Sequence, residues 1–220
     1  MIANVKKEFI EKEIKYQLPS DEFRKLQEFF DANYIKLKQY EQVNYYFDSK
    51  DYELKRQGSS MRLRCISSEY YEFTIKSKVI GCELPNYQVK KESTIELDKK
   101  TAESIIGAKT LDKHSHIYSH MRQILNGNLV SSEIMLLGKL NTIRSLYSFE
   151  NEEEICFDES SYLGKKDYEL ECETCDYSTV NGILRHIFET LGIVTLNSNK
   201  SKTSRFLEGL SHIGALDNMD

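Results

Sequence analysis

The sequence lacks the features of a membrane-bound or exported protein. None of its apolar runs reaches the roughly 18 residues that a membrane span requires. Residues 1–10 lack the apolar core of a signal peptide. We therefore expect a soluble, cytoplasmic protein that does not act on a membrane.

Net positive charge and glycine-rich loops are also missing. The 220 residues carry a net charge of −5, with a pI near 5.7, which does not support a general nucleic-acid-binding protein. The chain contains no phosphate-binding loop of the G-x-x-x-x-G-K-[ST] type. Any anion site must therefore come from a local concentration of cationic side chains.

Cysteines are few and irregularly spaced. There are five, an odd number, and in a cytoplasmic protein we expect reduced thiols that pack as small hydrophobic groups. Cys172 and Cys175 form a nominal C-x-x-C. It lies at the end of a predicted strand, and the chain offers no second cysteine pair for a zinc site. We expect neither a metal-binding nor a redox role for these thiols.

What the chain does contain is alternation of charged and apolar residues. Side chains at positions i and i+2 of a strand point to the same face, so each alternating stretch has one charged face and one apolar face. The strongest cases are residues 11–15, 62–64, 76–78 and 169–173. The pattern predicts a sheet that is packed on one side and polar on the other.

The periodicity predicts about eight strands in two groups, separated by a helical segment. Because βαβ alternation is absent, this order indicates an antiparallel α+β domain, and eight strands are enough to close a barrel. The predicted strands are residues 8–18, 34–48, 60–67, 70–78, 87–97, 139–149, 153–158 and 166–174. The predicted helices are one that starts after an N-cap at Ser20, then 51–57, 98–107, 111–126 and 178–191, and a short one after the polar tail 197–206.

Three histidines lie in the predicted helix 111–126. A metal-ligand cluster of His114, His116 and His120 is one interpretation. Residues two apart on a helix point about 200° away from each other, so only His116 and His120 share a face. The spacing favours a solvated helix over a ligand cluster.

The polar face admits two interpretations that the pattern alone leaves open. Adjacent carboxylates such as Glu11 and Glu13 repel each other unless a cation lies between them, and oxygen-rich clusters bind Mg²⁺ or Mn²⁺. Adjacent cations such as Arg62 and Arg64 repel likewise unless they bind an anion, and arginine suits phosphate because it donates hydrogen bonds in pairs. The face is therefore either a site for a metal-bound polyphosphate or an ordinary solvated surface.

A series of charged motifs follows one order along the chain. They are E-x-E-x-K at 11–15, NYYFDS at 44–49, MRLR at 61–64, TIKSK at 74–78, K-x-E at 90–92, T-x-R at 142–144, FDESSYLGKKDYELECET at 157–174 and SKTSR at 201–205. This set resembles the CYTH superfamily, the triphosphate tunnel metalloenzymes, and is most similar to its small Firmicute-type members, often labelled adenylate cyclases. The superfamily includes inorganic and thiamine triphosphatases, class IV adenylate cyclases and fungal RNA triphosphatases.

The resemblance implies a fold and a cofactor. It implies one domain over residues 1–220 with a helical insert at about 98–138, built as a closed tunnel of eight antiparallel strands. The charged faces would turn inward and the helices would pack outside. It also implies Mg²⁺ or Mn²⁺ as the cofactor, with metal ligands Glu11, Glu13, Asp158, Glu169 and Glu171.

The resemblance further implies a phosphate-binding set in which Lys76 and Arg144 are catalytic. Its members are Lys15, Arg62, Arg64, Lys76, Lys78, Lys90, Arg144, Lys202 and Arg205. Glu92 matches an inward acidic position. The alternation derived above independently places all of these, apart from Lys202 and Arg205 in the tail, on the polar face.

Two departures from the family pattern leave roles open. Thr142 stands where some triphosphatases have a lysine that helps to arrange the attacking water, which leaves the general base unassigned. The insert with its histidines matches no family motif; it either packs on the domain, caps the tunnel mouth or contacts a partner.

The functional hypothesis is a metal-dependent phosphohydrolase that cleaves a small triphosphate, with inorganic tripolyphosphate as the expected substrate. The enzyme alternatives are a class IV-type adenylate cyclase and a thiamine triphosphatase. The alternative of another class is a non-catalytic module that binds polyphosphate or a nucleotide.

Overall fold

The computed structural model describes residues 6–79, 84–125, 133–150, 153–196 and 200–216. Within these ranges lie nine strands and six helices. The strands are β1 (Lys6–Leu18), β2 (Lys36–Asp48), β3 (Ser59–Ile66), β4 (Tyr70–Lys78), β5 (Tyr87–Leu97), β6 (Thr110–Leu111), β7 (Ile134–Ser148), β8 (Glu154–Tyr162) and β9 (Lys165–Glu173). The helices are α1 (Ser20–Asn33), α2 (Glu53–Arg56), α3 (Lys99–Ala108), α4 (His116–Ile124), α5 (Tyr177–Leu191) and α6 (Lys202–Leu216). None of the helices in this part of the chain is long and apolar enough to span a membrane.

The strands form one antiparallel sheet that closes on itself. Their order is β2-β3-β4-β5-β1-β9-β8-β7-β6, and β2 also pairs with β7. Eight strands therefore make a closed barrel, and the two-residue β6 is an additional strand on β7. The predicted α+β class and the closed antiparallel eight-stranded barrel are confirmed.

The turn between β8 and β9 fixes a register on which the site depends. Leu163 and Gly164 have φ values of +47° and +71°, as the two central residues of a type I′ hairpin turn require. This turn sets Asp158 directly opposite Glu169 in the β8–β9 ladder. A shift of one residue would move each of these side chains to the other face.

Three local predictions were wrong. Ser20 is the first helical residue, and Pro19 occupies the N-cap position. The predicted helix 111–126 begins only at His116, because the Ser115 side chain caps it by accepting the Tyr118 N–H; its predicted end at 126 lies outside the described residues. The segment 202–206 belongs to α6 rather than to a polar tail, because Ser201 accepts the Ser204 N–H and buried Phe206 anchors the first turns.

The chain divides into two compact units, each with its own core. In the described ranges, the first unit comprises residues 6–10, 42–79, 90–125 and 133–140. Leu63, Phe73 and Ile95 on its strands pack against Met121 of α4, and α3 joins the same cluster. The apolar positions of β3, β4 and β5 are thus covered, and the alternate positions are left for polar side chains.

The second unit comprises residues 11–41, 84–89, 141–150, 153–196 and 200–216. Its core places Phe30 of α1 and Leu184 of α5 against Ile14, Phe157 and Leu170 of β1, β8 and β9. Because these apolar residues occupy every second strand position, the charged residues between them lie on the opposite face.

Candidate functional site

The second unit gathers a dense cluster of buried charges on its polar face. Residues paired across neighbouring strands lie on the same face, and the register pairs Lys15 with Glu171, Arg144 with Asp158, and Asp158 with Glu169. Strand alternation therefore delivers five charged side chains to one place, as the sequence pattern predicts for residues of a shared face.

Helix α6 adds the side chain at the centre of this cluster. The Nζ atom of Lys202 forms ion pairs with Asp158 Oδ2, with Glu169 Oε2 at 3.1 Å and with Glu171 Oε1 at 3.0 Å. The Lys202 side chain is 13% exposed, while those of Asp158 and Glu169 are 0% and 1% exposed. Three buried carboxylates thus converge on one ammonium group.

Two strand cations complete the network. Arg144 donates to both carboxylate oxygens of Asp158, at 2.7 and 2.6 Å, and to Glu171 Oε2 at 2.7 Å. Lys15 Nζ lies 2.9 Å from Glu171 Oε1 and 3.1 Å from Glu13 Oε1. Glu171 is therefore shared by three cations.

Mutual compensation keeps these groups ionised. Burial by itself would raise the pKa of Glu171, but the charges of Lys15, Lys202 and Arg144 outweigh it and hold that pKa well below its usual value. The same balance, set by Arg144 and Lys202, lowers the pKa of Asp158. Burial would lower the pKa of Lys202, yet the surrounding carboxylates raise it. A buried charge is tolerated when it is paired in this way.

Asp167 and Arg205 extend the charge network. The sequence predicted Arg205 as a site residue but not Asp167. Arg205 Nε donates to Asp167 Oδ2 at 2.7 Å, and its Nη2 lies 3.0 Å from Glu169 Oε1. The signal for Asp167 was available, since it lies two residues before Glu169 on the same strand face. Both Glu169 oxygens are buried within ion-pair distance of a cation, yet neither meets the geometry of a directed hydrogen bond.

The two N-terminal glutamates share the polar face of β1 with Lys15. Glu13 pairs in register with Glu173, and Glu11 is one further same-face position along β1. Both side chains are buried, and Glu13 Oε1 lies 3.1 Å from the same Lys15 Nζ that contacts Glu171. Of the five predicted metal ligands, three contact Lys202, and Glu13 is linked to them through Lys15.

The polar face of the first unit also carries a cluster of cations and carboxylates. Lys76 Nζ lies 2.6 Å from Glu92 Oε2. Arg64 Nε donates to Asn44 Oδ1 at 2.9 Å, and its Nη1 lies 3.4 Å from Glu72 Oε1. Burial opposes ionisation of Glu92, but the nearby charges of Lys76, then Arg62 and Arg64, lower its pKa.

The remaining predicted cations of this unit lie on the same strand faces. Lys78 and Lys90 pair directly across β4 and β5, where two like charges repel each other. Lys78 is exposed and Lys90 is half-buried. Arg62 lies between them and Arg64, since it pairs with Thr74 in the β3–β4 ladder.

One of the three histidines and Thr142 are buried in packed positions. His120 is buried, and its Nε2 lies 3.0 Å from Ser93 Oγ, while His114 and His116 are exposed. Helix α4 is therefore packed on one side rather than fully solvated, which corrects the sequence interpretation. Thr142 Oγ1 lies 3.0 Å from Ser160 Oγ in a buried pair of hydroxyl groups.

The donor chemistry around Lys202 suits a hard divalent cation. All three converging groups are carboxylates, the ligands that Mg²⁺ and Mn²⁺ prefer. Across the described ranges, no group of three or more His, Cys, Asp or Glu side chains is arranged to hold a metal ion as it stands. In this cluster the carboxylate oxygens are instead directed at the ammonium of Lys202. The residues fit a cation, and a lysine takes that position.

Comparisons with known proteins agree with this arrangement of strands. An adenylyl cyclase candidate from Hippeastrum, described as having a dominant triphosphatase activity, is 25% identical, with a TM-score of 0.76 over 90% of this chain and 96% of its own. A Bacillus halodurans protein named as a candidate adenylate cyclase is also 25% identical. Its TM-score is 0.70, and the match covers 90% of this chain and 98% of that protein. A Pyrococcus horikoshii protein at 17% identity shares the fold, with a TM-score of 0.55. The match covers 90% of this chain and 98% of that protein.

Among curated proteins, no sequence matches the chain. The family model of the CYTH domain matches residues 10–207, which includes every charged cluster described above. The resemblance found in the motifs is thereby confirmed, and the chain belongs to the CYTH domain family.

Proposed function

We propose that this protein is a divalent-metal-dependent hydrolase of a small triphosphate, with inorganic tripolyphosphate as the first candidate substrate. The observation that carries the proposal is the buried cluster in which Asp158, Glu169 and Glu171 alternate with Lys15, Arg144 and Lys202. Such a cluster offers ligands for a metal and for phosphate at the same point. The triphosphatase activity described for the similar Hippeastrum protein supports the same reaction class.

We assign the metal to the carboxylates. Asp158, Glu169 and Glu171 would hold it, and Glu11 and Glu13 would hold a second ion or orient a water molecule. A bound divalent ion would supply charge neutralisation on the phosphate oxygens and a lowered pKa of a coordinated water. Glu169 is the best placed for ligation because its oxygens are buried without a directed hydrogen bond.

The cations of the second unit would bind and orient the phosphates. Arg144 presents a planar fork that already holds a carboxylate in bidentate fashion, and phosphate oxygens accept the same geometry. Lys15 and Lys202 would donate to neighbouring oxygens as compact point charges. Fixing the phosphate chain in this way favours in-line displacement, because positioning and electrostatics supply most of the catalysis of phosphoryl transfer.

The cations of the first unit are proposed to bind anions as well. Lys76 and Arg64 are held by Glu92, Glu72 and Asn44, which fixes their side chains before a phosphate arrives. Lys78 and Lys90 lie opposite each other across β4 and β5, on the same face as Lys76, and are kept in the proposed set for that placement. We also keep Arg62 and, in the second unit, Arg205 in the proposed phosphate-binding set.

A purely anion-binding module is a weaker explanation of this site. Burying three carboxylates among the cations that bind an anion would weaken that binding, since each carboxylate competes with the anion for the same donors. Ligation of a metal gives those carboxylates a role. Thr142 supplies no general base, because its hydroxyl is engaged with Ser160 and an alcohol does not accept a proton at neutral pH.

The test is a substrate panel. Tripolyphosphate, thiamine triphosphate and ATP are each incubated with Mg²⁺ or Mn²⁺, and the release of phosphate and of cyclic nucleotide is measured. We expect rapid phosphate release from tripolyphosphate, abolished by EDTA. Arg144→Gln should reduce it at least tenfold, whereas Arg24→Gln on the exposed surface of α1 should leave it unchanged. Cyclic AMP as the main product would establish the cyclase instead, and a folded protein without activity on any of the three would refute the proposal.

A further inference from the structure

We infer that Lys202 acts as an internal cation that occupies the metal-binding carboxylates until a triphosphate draws it away, so that metal and triphosphate bind as a coupled pair. This inference rests on the proposed function. It concerns the order and coupling of binding, which the assignment of ligands does not determine.

The first argument is the position of the ammonium group. Lys202 Nζ is in ion-pair contact with Asp158, Glu169 and Glu171 at once. Of these three carboxylates, Arg144 pairs with Asp158 and Glu171. Lys202 is therefore the cation that lies where the three carboxylates converge, and a metal ion held by all three would need the same space.

The second argument is charge. Five carboxylates of this cluster (Glu13, Asp158, Asp167, Glu169 and Glu171) are paired with four cations (Lys15, Arg144, Lys202 and Arg205). The ligand-free cluster is thus close to neutral. A divalent ion that arrives alone meets little net negative charge and a lysine within contact distance, and both facts oppose its binding.

The third argument is that the lysine can move while its helix stays. Helix α6 is anchored by the buried side chains of Phe206 and Leu207. It also packs closely: a Cβ placed on Gly209 would lie 2.8 Å from Leu163 Cδ1. The long flexible side chain of Lys202 can therefore redirect its ammonium to a phosphate oxygen without a shift of the helix.

A triphosphate changes the balance by offering new acceptors. When Lys202 and Arg144 donate to phosphate oxygens, oxygens of Asp158, Glu169 and Glu171 become available to the metal. The bound metal then neutralises the added phosphate charge. Each ligand thus raises the affinity for the other by the same factor, as linkage requires.

The experiment measures Mn²⁺ binding by titration calorimetry, without and with diimidotriphosphate, an analogue of tripolyphosphate in which both bridging oxygens are replaced by NH groups that resist hydrolysis. For the parent protein we expect weak binding of Mn²⁺ alone and at least tenfold tighter binding with the analogue. Lys202→Met keeps an unbranched side chain that is one atom shorter and carries no charge, and it should bind Mn²⁺ alone at least tenfold more tightly than the parent. Lys200→Met is the matched control, because Lys200 lies just before α6, its side chain is 59% exposed and it pairs with Glu208 of that helix; it should behave as the parent.

A second variant guards against misfolding of Lys202→Met. Lys202→Arg retains the charge and should keep Mn²⁺ binding weak without the analogue. Parent protein that binds Mn²⁺ alone as tightly as with the analogue overturns the inference and leaves the proposed function standing. Parent protein that binds Mn²⁺ in neither condition overturns the metal assignment and the inference together.

Discussion

Replacement of Glu171 by glutamine is the most direct test of the buried charge network. The carboxylate accepts from Lys15, Lys202 and Arg144 at 2.9, 3.0 and 2.7 Å, and its side chain is only 11% exposed. Glutamine preserves the shape but removes the charge that all three cations share. The expected effect is therefore on stability of the ligand-free protein as well as on activity.

The magnitude follows from the partners that remain. Removal of one member of a buried ion pair costs about 3–5 kcal/mol when it leaves an uncompensated charge. Here each cation keeps another carboxylate, as Lys15 does with Glu13 and Arg144 with Asp158. We expect the lower end, about 3 kcal/mol, which for a chain of this size corresponds to a fall in Tm of about 6–12 °C.

The matched control is Glu159→Gln on the neighbouring strand. Glu159 pairs with Lys166, and the two side chains are 33% and 60% exposed. Exposed ion pairs contribute about 0–1 kcal/mol. Urea unfolding of the ligand-free variants measures the change in the free energy of unfolding, and thermal unfolding measures the change in Tm. If Glu171→Gln and Glu159→Gln lowered the free energy of unfolding equally, the charge network would be solvated, and the reasoning behind the site would fail.

Three further predictions address pH, metal and anion. Because the pKa of Glu171 is lowered on folding, its stabilisation is complete above about pH 5 and is lost as the pH falls through the folded-state pKa; the urea midpoint of the parent should decline more steeply below pH 5 than that of Glu171→Gln, and parallel curves would contradict this. Glu11→Gln or Glu13→Gln should lower activity without unfolding the protein, and excess Mn²⁺ should partly restore it; activity that is unchanged in both variants counts against their assignment. Tripolyphosphate should stabilise the parent by about 2.7 kcal/mol at a hundredfold excess over Kd, seen as a rise in Tm, and Arg62→Ala should reduce that rise more than the exposed Lys25→Ala; equal rises would show that Arg62 binds no anion.

The sequence by itself determined which residues share a face. Side-chain alternation in a strand is a local property of the backbone with a period of two, so the common face of Glu169 and Glu171, or of Arg62 and Arg64, could be predicted without any tertiary contact. The apolar residues between them likewise predicted the packed face, which holds Leu63 in one core and Leu170 in the other. The number of strands and their antiparallel arrangement followed from the same period together with the order of the elements, whereas the closed barrel was implied by the resemblance to the CYTH superfamily.

Only the tertiary structure decided which charges meet. The register of β8 against β9 sets Asp158 beside Glu169, and a one-residue slip would satisfy the same composition with a different pairing. Lys202 lies 31 positions after Glu171 in the sequence, and it reaches the carboxylates because α6 is anchored through Phe206. Non-local docking of this kind depends on the packing of whole elements rather than on residues near Lys202. For that reason the sequence predicted the separate charged faces, and the folded chain determined that a lysine lies among the carboxylates.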